Sequence, residues 1–269
     1  MAPVFPEFLP ILTTYAARIS GRTLSETRAS AATLARALLD SQRVVGNDGI
    51  LCLFDPMTLV DACIGAGTEG SRLRAPEMVP GCSPIATILS AVGVMRPQLP
   101  RDVRVYASFA GPALLLQELS ARTGNADEVD IDYVGDVFLA TVRAAFDARA
   151  HGIAVIEQPL AEIPPPIAAL YRSANKLADF YEGLQMVFHL PGVTTSAATE
   201  AHCSFFLESD RDCGQLLQGV GRTEARMPFT SAADVTPDTP IQRLREMREL
   251  ARGMPSASRS GPDGHAENA

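Results

Sequence analysis

The sequence contains no tryptophan, and aromatic residues make up only 6% of its 269 residues. Hydrophobic residues nevertheless reach 46%, so the chain can bury a sizeable aliphatic core and is not expected to be disordered. Lysine occurs once, as Lys176 in a polar helical stretch, which argues against Schiff-base chemistry. The length and the aliphatic core suit a single α/β barrel.

Positive charge is also scarce. The formal net charge is −8 and no basic stripe is interleaved with aromatics, so nucleic acid is not an expected partner. No apolar run reaches the roughly 18 residues that span a bilayer, and the N-terminus lacks the pattern of a signal peptide. The five cysteines lack CxxC spacing, which indicates reduced thiols and a cytoplasmic protein; they are Cys52, Cys63, Cys82, Cys203 and Cys213.

Short apolar runs alternate with helical patterns along residues 1–252, which we expect to form one domain. Residues 253–269 offer almost nothing to bury and predict a disordered tail. The predicted strands are 49–55, 103–111, 153–159, 185–192, 202–209 and 225–232. Continuous apolar strands alternating with helices predict a parallel sheet. No GxGxxG follows the first strand, so a (β/α)₈ TIM barrel is favoured over a doubly wound nucleotide-binding sheet.

Ionisable residues follow several predicted strands, namely Asp55, Glu157, His189 and, a little later, Asp234. The carboxyl ends of barrel strands converge on one mouth, which is where catalysis occurs in this fold. Each residue also has an ordinary interpretation, because an acid after a strand commonly caps a helix and a single histidine is commonly a core residue. Glu157 follows a fully apolar run, and burial there would raise the pKa of its carboxyl group and suit acid–base work.

Five segments in order resemble the uroporphyrinogen decarboxylase family over about residues 3–252. They are DGILCLFDPMTLVDACIGAG, VYASFAGPALLLQEL, HGIAVIEQPLAEIPPPIAALY, QMVFHLPGVTT and FTSAADVTPDTPIQRLREMRELAR. The resemblance implies a decarboxylase-like barrel without an organic cofactor. It places Asp55 at the position of the family's essential aspartate, with Glu157 or His189 moving the proton, and it places Phe109, Gly111, Pro112 and Asp234 at the substrate.

The sequence also departs from that family. No N-terminal arginine motif precedes Arg18, and Arg22 and Arg28 stand in a different context. The methyltransferase branch holds zinc with one histidine and two cysteines, but Pro191 and Ala233 occupy the cysteine positions and only His189 remains. A thiolate zinc site is therefore not expected, although Glu157, His189 and Asp234 could form a set for a harder metal.

Three functions follow from these observations. The first is a cofactor-independent decarboxylase or other lyase acting on a small carboxylated or heteroaromatic molecule. The alternatives are a methyltransferase that takes its methyl group from a corrinoid or folate donor, and a catalytically inactive barrel that binds a ligand. The resemblance leaves a homodimer open, since some family members pair with facing active sites.

Overall fold

The computed structural model describes residues 8–64, 73–124, 129–158, 160, 162–190, 203–206, 230 and 234–253. Its helices are α1 (Thr13–Ile19), α2 (Leu24–Thr27), α3 (Ala31–Val45), α4 (Met57–Cys63), α5 (Ile85–Met95), α6 (Pro112–Thr123), α7 (Ile131–Asp147), α8 (Pro165–Phe180) and α9 (Ile241–Gly253). Its strands are β1 (Gly49–Cys52), β2 (Arg104–Ala110), β3 (Gly152–Glu157), β4 (Leu184–His189) and β5 (Cys203–Phe206). Short 3₁₀ turns occupy Pro76–Gly81 and Arg96–Gln98.

The described strands form one parallel sheet in the order β1-β2-β3-β4-β5. Each strand pairs with the preceding strand of the sequence, so this part of the sheet has no reversal of strand order, whereas a doubly wound sheet reverses at its switch point. The mixed α/β class and five of the predicted strands are therefore confirmed. The sixth predicted strand, 225–232, and the predicted tail after residue 253 lie outside the described residues, except for Thr230.

The two faces of the sheet are packed differently. The helix-covered face carries side chains such as Val105, Phe109, Val155 and Val187, which join α3 to α8 in one large apolar cluster. The opposite face, here called the helix-free face, forms a second cluster to which no described helix contributes; its members are Leu9, Ile11, Leu51, Tyr106, Ala154, Leu184, Met186 and Phe188. Residues two apart on a strand point to the same face of the sheet. The face of each strand-end residue therefore follows from that of the residue two positions before it.

Gly152 shows how closely the strands approach on the helix-free face. A Cβ atom at this position would lie 2.4 Å from the carbonyl oxygen of Leu184 and 3.0 Å from the ring of Tyr106. Both distances are shorter than ordinary contacts, so any larger residue would push β3 and β4 apart.

The recurrence of alanine, leucine and valine at helical spacing predicts one helix from Ser25 to Val45, but the structure has two. Thr23 and Glu26 form a reciprocal capping box that starts α2, and the Ser30 side chain caps a separate helix, α3. The break between the two helices leaves Arg28 at a junction rather than inside a helix. No helix in the described part of the chain is long and apolar enough to cross a membrane.

Candidate functional site

The turn that follows β1 is held by side chains from two other elements. Leu53 has a φ of 56°, a left-handed conformation that non-glycine residues seldom adopt. The Ser108 hydroxyl of β2 lies 2.8 Å from the carbonyl oxygen of Cys52 and 3.1 Å from that of Leu53. The Phe54 N–H donates to Thr13 Oγ1 at 3.0 Å. A strained turn persists only where its surroundings fix it, so the backbone that carries Asp55 is rigidly placed.

Asp55 uses its two carboxylate oxygens differently. Oδ1 accepts the N–H of Met57, the first residue of α4, at 2.9 Å, and Oδ2 pairs with the guanidinium group of Arg28. The Asp55 side chain is 23% exposed and the Arg28 side chain is 38% exposed, so solvent reaches the pair. Asp55 therefore caps α4 and also presents a charged group at the carboxyl end of the sheet.

Arg28 is the residue that the sequence interpretation passed over. No motif marks it, because its position depends on the break between α2 and α3. The capping residues Thr23 and Ser30 are the only signal of that break in the sequence. Ser108 and Thr13 were missed as well, since a lone hydroxyl inside a strand or at the start of a helix carries no functional pattern.

Glu157 is fully buried, and four donors surround its carboxylate. Oε1 accepts the N–H groups of Leu114 at 2.6 Å and Gln158 at 2.9 Å, while Oε2 accepts the N–H of Ala113 at 3.1 Å and the Tyr171 hydroxyl at 2.7 Å. Burial raises the pKa of this carboxyl group, and the four hydrogen bonds oppose that rise by favouring the anion. The carboxylate thus caps the start of α6 from within the helix layer.

Gly111 makes this capping contact possible. A Cβ atom on Gly111 would lie 2.4 Å from Glu157 Oε2, so only glycine allows the carboxylate to reach the first turn of α6. Gly111 and Pro112 are buried at this junction. Phe109 is likewise completely buried on the helix-covered face, with its ring centroid 6.2 Å from that of Phe138 in α7. The structure therefore places these three predicted substrate contacts, all buried, in or beside the helix layer.

His189 lies beside Glu157, since the two are register partners in β3 and β4 and share the helix-covered face. The histidine is only 2% exposed. Burial lowers the pKa of His189 to about 4, and a hydrogen bond with the Gln158 backbone works in the opposite direction. At neutral pH the imidazole is therefore uncharged and enclosed among the helices.

Asp234 lies close to the start of α1. Its Oδ2 accepts the N–H of Thr14 at 3.2 Å, and burial raises the pKa of its carboxyl group to about 6. The neighbouring Thr13 contacts Phe54, so the first turn of α1 joins Asp234 to the turn that carries Asp55. Of the four predicted strand-end groups, Asp55 and Asp234 are linked in this way, whereas Glu157 and His189 form a separate pair.

The described side chains form no metal site of the expected kinds. No group of three His, Cys, Asp or Glu residues within the described part of the chain is arranged to hold a metal ion. Glu157, His189 and Asp234 are all described, so the harder-metal alternative has no geometric support. The zinc set implied by the resemblance would need cysteines at residues 191 and 233, where the sequence has proline and alanine.

Comparison with known proteins gives a structural likeness without a sequence likeness. No family model and no curated protein matches the sequence. Among solved structures, the chain is similar to a methyltransferase from Methanosarcina mazei, with a TM-score of 0.64 and 14% identity over 93% of each chain. At this identity the likeness establishes a shared fold, and it extends over nearly the whole of both chains.

Proposed function

We propose that this protein is an enzyme with a (β/α)₈ barrel of the uroporphyrinogen decarboxylase-like superfamily. Three observations support the barrel: the uninterrupted sequential strand order, the absence of described helix residues from the cluster on the helix-free face, and the fold shared with a methyltransferase. In such a barrel the carboxyl ends of the strands form the active-site mouth. The Asp55–Arg28 pair occupies that end of β1, and it is the observation that carries the functional proposal.

Methyl transfer to a non-thiol acceptor is the activity that fits best. The likeness to a methyltransferase favours the reaction type, and the absence of the two zinc cysteines from the sequence argues against a thiol acceptor. In this proposal a corrinoid or folate donor would supply the methyl group and would keep the electron pair of the cobalt–carbon or nitrogen–carbon bond that breaks. Arg28 binds a carboxylate of the acceptor, and Asp55 accepts the proton that the acceptor's N–H or O–H loses when the new bond to carbon forms.

The test is a donor and acceptor assay on the full chain. Methylcobalamin and methyltetrahydrofolate would each be incubated with a panel of carboxylated amines and heteroaromatic acids, and methylated products would be detected by mass spectrometry. We expect Asp55→Asn to abolish product formation without unfolding the protein, because the new amide oxygen can still accept the Met57 N–H. Arg28→Gln should mainly raise KM, whereas Arg22→Gln, an exposed arginine on the same segment, should behave like the unmodified protein.

Decarboxylation is the second candidate, and the position of Arg28 favours it, since a guanidinium group beside the reactive aspartate suits a carboxylated substrate. Release of CO₂ from the same acids without any methyl donor, lost in Asp55→Asn, would establish it in place of methyl transfer. A rise in melting temperature with one of these acids, lost in the same variant and accompanied by neither reaction, would instead establish a ligand-binding barrel without catalysis.

A further inference from the structure

The opposite edge of the sheet, where β2, β3 and β4 begin, carries a group of arginines that the proposed function does not use. Arg96 follows α5, Arg101 and Arg104 flank the start of β2, and Arg149 lies in the turn before β3. None of the four guanidinium groups has an ion pair within the described residues. With the aromatic residues Phe180 and Tyr181, we call this surface the amino edge.

Hydrogen bonds hold the turns of the amino edge together. The His151 ring accepts the Val105 N–H on Nδ1 at 2.9 Å, and the His151 backbone N–H donates to the Val105 carbonyl at 2.8 Å. These bonds join the start of β2, where Arg104 lies, to the turn that carries Arg149. Both Arg96 and Arg104 help lower the pKa of His151, so their charges lie close to its ring. Arg96 and Arg104 therefore lie around one histidine, and Arg149 precedes that histidine by two residues in the chain.

The aromatic part of the amino edge is exposed but fixed. Phe180 is 79% exposed, which is unusual for a phenylalanine at the end of a well-packed helix. Its ring meets that of Tyr181 edge to face at 5.2 Å, and Tyr181 stacks on Phe146 with centroids 5.0 Å apart. The Tyr181 hydroxyl also donates to Asp147 at 3.0 Å. A rigid exposed ring loses little conformational entropy when a partner covers it.

The charge balance of this edge differs from that of the whole chain. The acidic residues on or beside these turns are Asp102, Asp147, Asp179 and Glu182, and Asp147 accepts a hydrogen bond from Tyr181. Arg143 lies near enough to lower the pKa of Tyr181, which brings the arginines to five against four carboxylates. The edge is thus net positive on a protein whose formal net charge is −8.

We propose that the amino edge is a docking surface for an acidic segment of another protein, with an apolar side chain of that segment covering Phe180. Arginine and aromatic residues are the types that dominate binding energy at protein interfaces, and the planar guanidinium group pairs with carboxylates through two hydrogen bonds. A small anion alone would leave Phe180 uncovered, and a nucleic acid would be repelled by the rest of the molecule. The surface lies at the opposite end of the strands from Asp55, so docking leaves the proposed active site open.

Fluorescence anisotropy with two labelled short peptides tests this proposal on the full chain. One peptide alternates glutamate and leucine, and the other replaces each leucine with serine. We expect the first to bind, the second to bind at least about tenfold more weakly, and added salt to weaken both. Arg149→Glu and Phe180→Ser should each weaken the first peptide by about tenfold or more. Arg36→Glu and Leu250→Ser, an exposed arginine and an exposed leucine on other elements, should not.

The proposal is overturned if both peptides bind equally, if the control variants weaken binding as much as the test variants, or if neither peptide binds. Inorganic phosphate that competes fully with the first peptide would show that the patch is a small-anion site. Sedimentation that reveals a dimer lost in Phe180→Ser would show instead that a second copy of the chain covers this edge.

Discussion

The substitution Glu157→Gln separates a structural carboxylate from a catalytic one. Glutamine keeps the shape of the side chain but has one oxygen, whereas the buried carboxylate uses both oxygens and receives two donors on each. Whichever way the amide is turned, two of the four donors lose their acceptor and face an NH₂ group. No water can replace the lost acceptor without opening the contact between α6 and α8, because the site is completely buried.

The expected destabilisation follows from that count. A buried donor left without an acceptor costs about 1 to 3 kcal/mol, so two such donors cost about 2 to 6 kcal/mol. Removing a buried charge offsets part of this cost, since a desolvated carboxylate is itself unfavourable. We therefore expect Glu157→Gln to lower the free energy of unfolding by about 2 to 4 kcal/mol. Tyr171→Phe removes one donor and leaves three, and should cost about 1 to 2 kcal/mol.

Urea denaturation followed by circular dichroism measures both values. Glu118→Gln is the matched control, because Glu118 lies on the same helix but outside its first turn; its effect should stay within about 0.5 kcal/mol. A loss below about 1 kcal/mol for Glu157→Gln would refute the capping argument. A stable variant that binds ligand normally but has lost turnover would instead establish the catalytic role that the sequence predicted for Glu157.

Three further substitutions test other contacts. Ser108→Ala should lower the free energy of unfolding, measured by urea denaturation, by about 1 to 2 kcal/mol. It should also weaken ligand binding at Asp55, because the turn before Asp55 loses the hydrogen bonds from the Ser108 hydroxyl. Unchanged binding would show that these bonds do not position Asp55. Gly152→Ala should cost about 1 to 3 kcal/mol, since the added methyl group would meet the Leu184 backbone, and a neutral effect would show that β3 and β4 can separate freely. The lowered pKa of His189 means that the folded protein resists protonation of this histidine. Its contribution to the free energy of unfolding is therefore complete above pH 6.5 and is lost as the pH falls towards about 4. The loss amounts to up to about 3 kcal/mol. His189→Gln should flatten the pH dependence of unfolding in that range, and an unchanged slope would contradict the assignment.

The described strands could be predicted because their signals are local. Continuous apolar runs mark strands covered on both sides, and β1, β2, β3 and β4 were each found from such a run. Pro112 marks the start of α6 because it needs no N–H partner there. The division between α2 and α3 was missed, although Thr23 and Ser30 are good capping residues, because helical periodicity continues across the junction.

The candidate site was harder to predict because a strand end does not reveal which face a side chain occupies. A shift of one residue reverses the face, and β3 and β4 happen to end with Glu157 and His189 on the helix-covered side. The turn after β1 begins with a left-handed residue, Leu53, and this conformation breaks the alternation before Asp55 is reached. A leucine such as Leu53 does not predict a positive φ, so the exposure of Asp55 could be established only from the structure.

Asp55, Glu157 and Asp234 all accept N–H groups from the first turn of a helix, so capping alone cannot identify a catalytic acid. What differs is the use of the second oxygen. In Glu157 it is enclosed by further donors, whereas in Asp55 it faces Arg28 in a place that solvent reaches. The Met57 N–H fixes the Asp55 carboxylate through one oxygen and leaves the other available, which is the arrangement that preorganised sites require. Capping and ligand recognition are thus compatible in Asp55, because the bond that holds the side chain in place is not the bond that a substrate would replace.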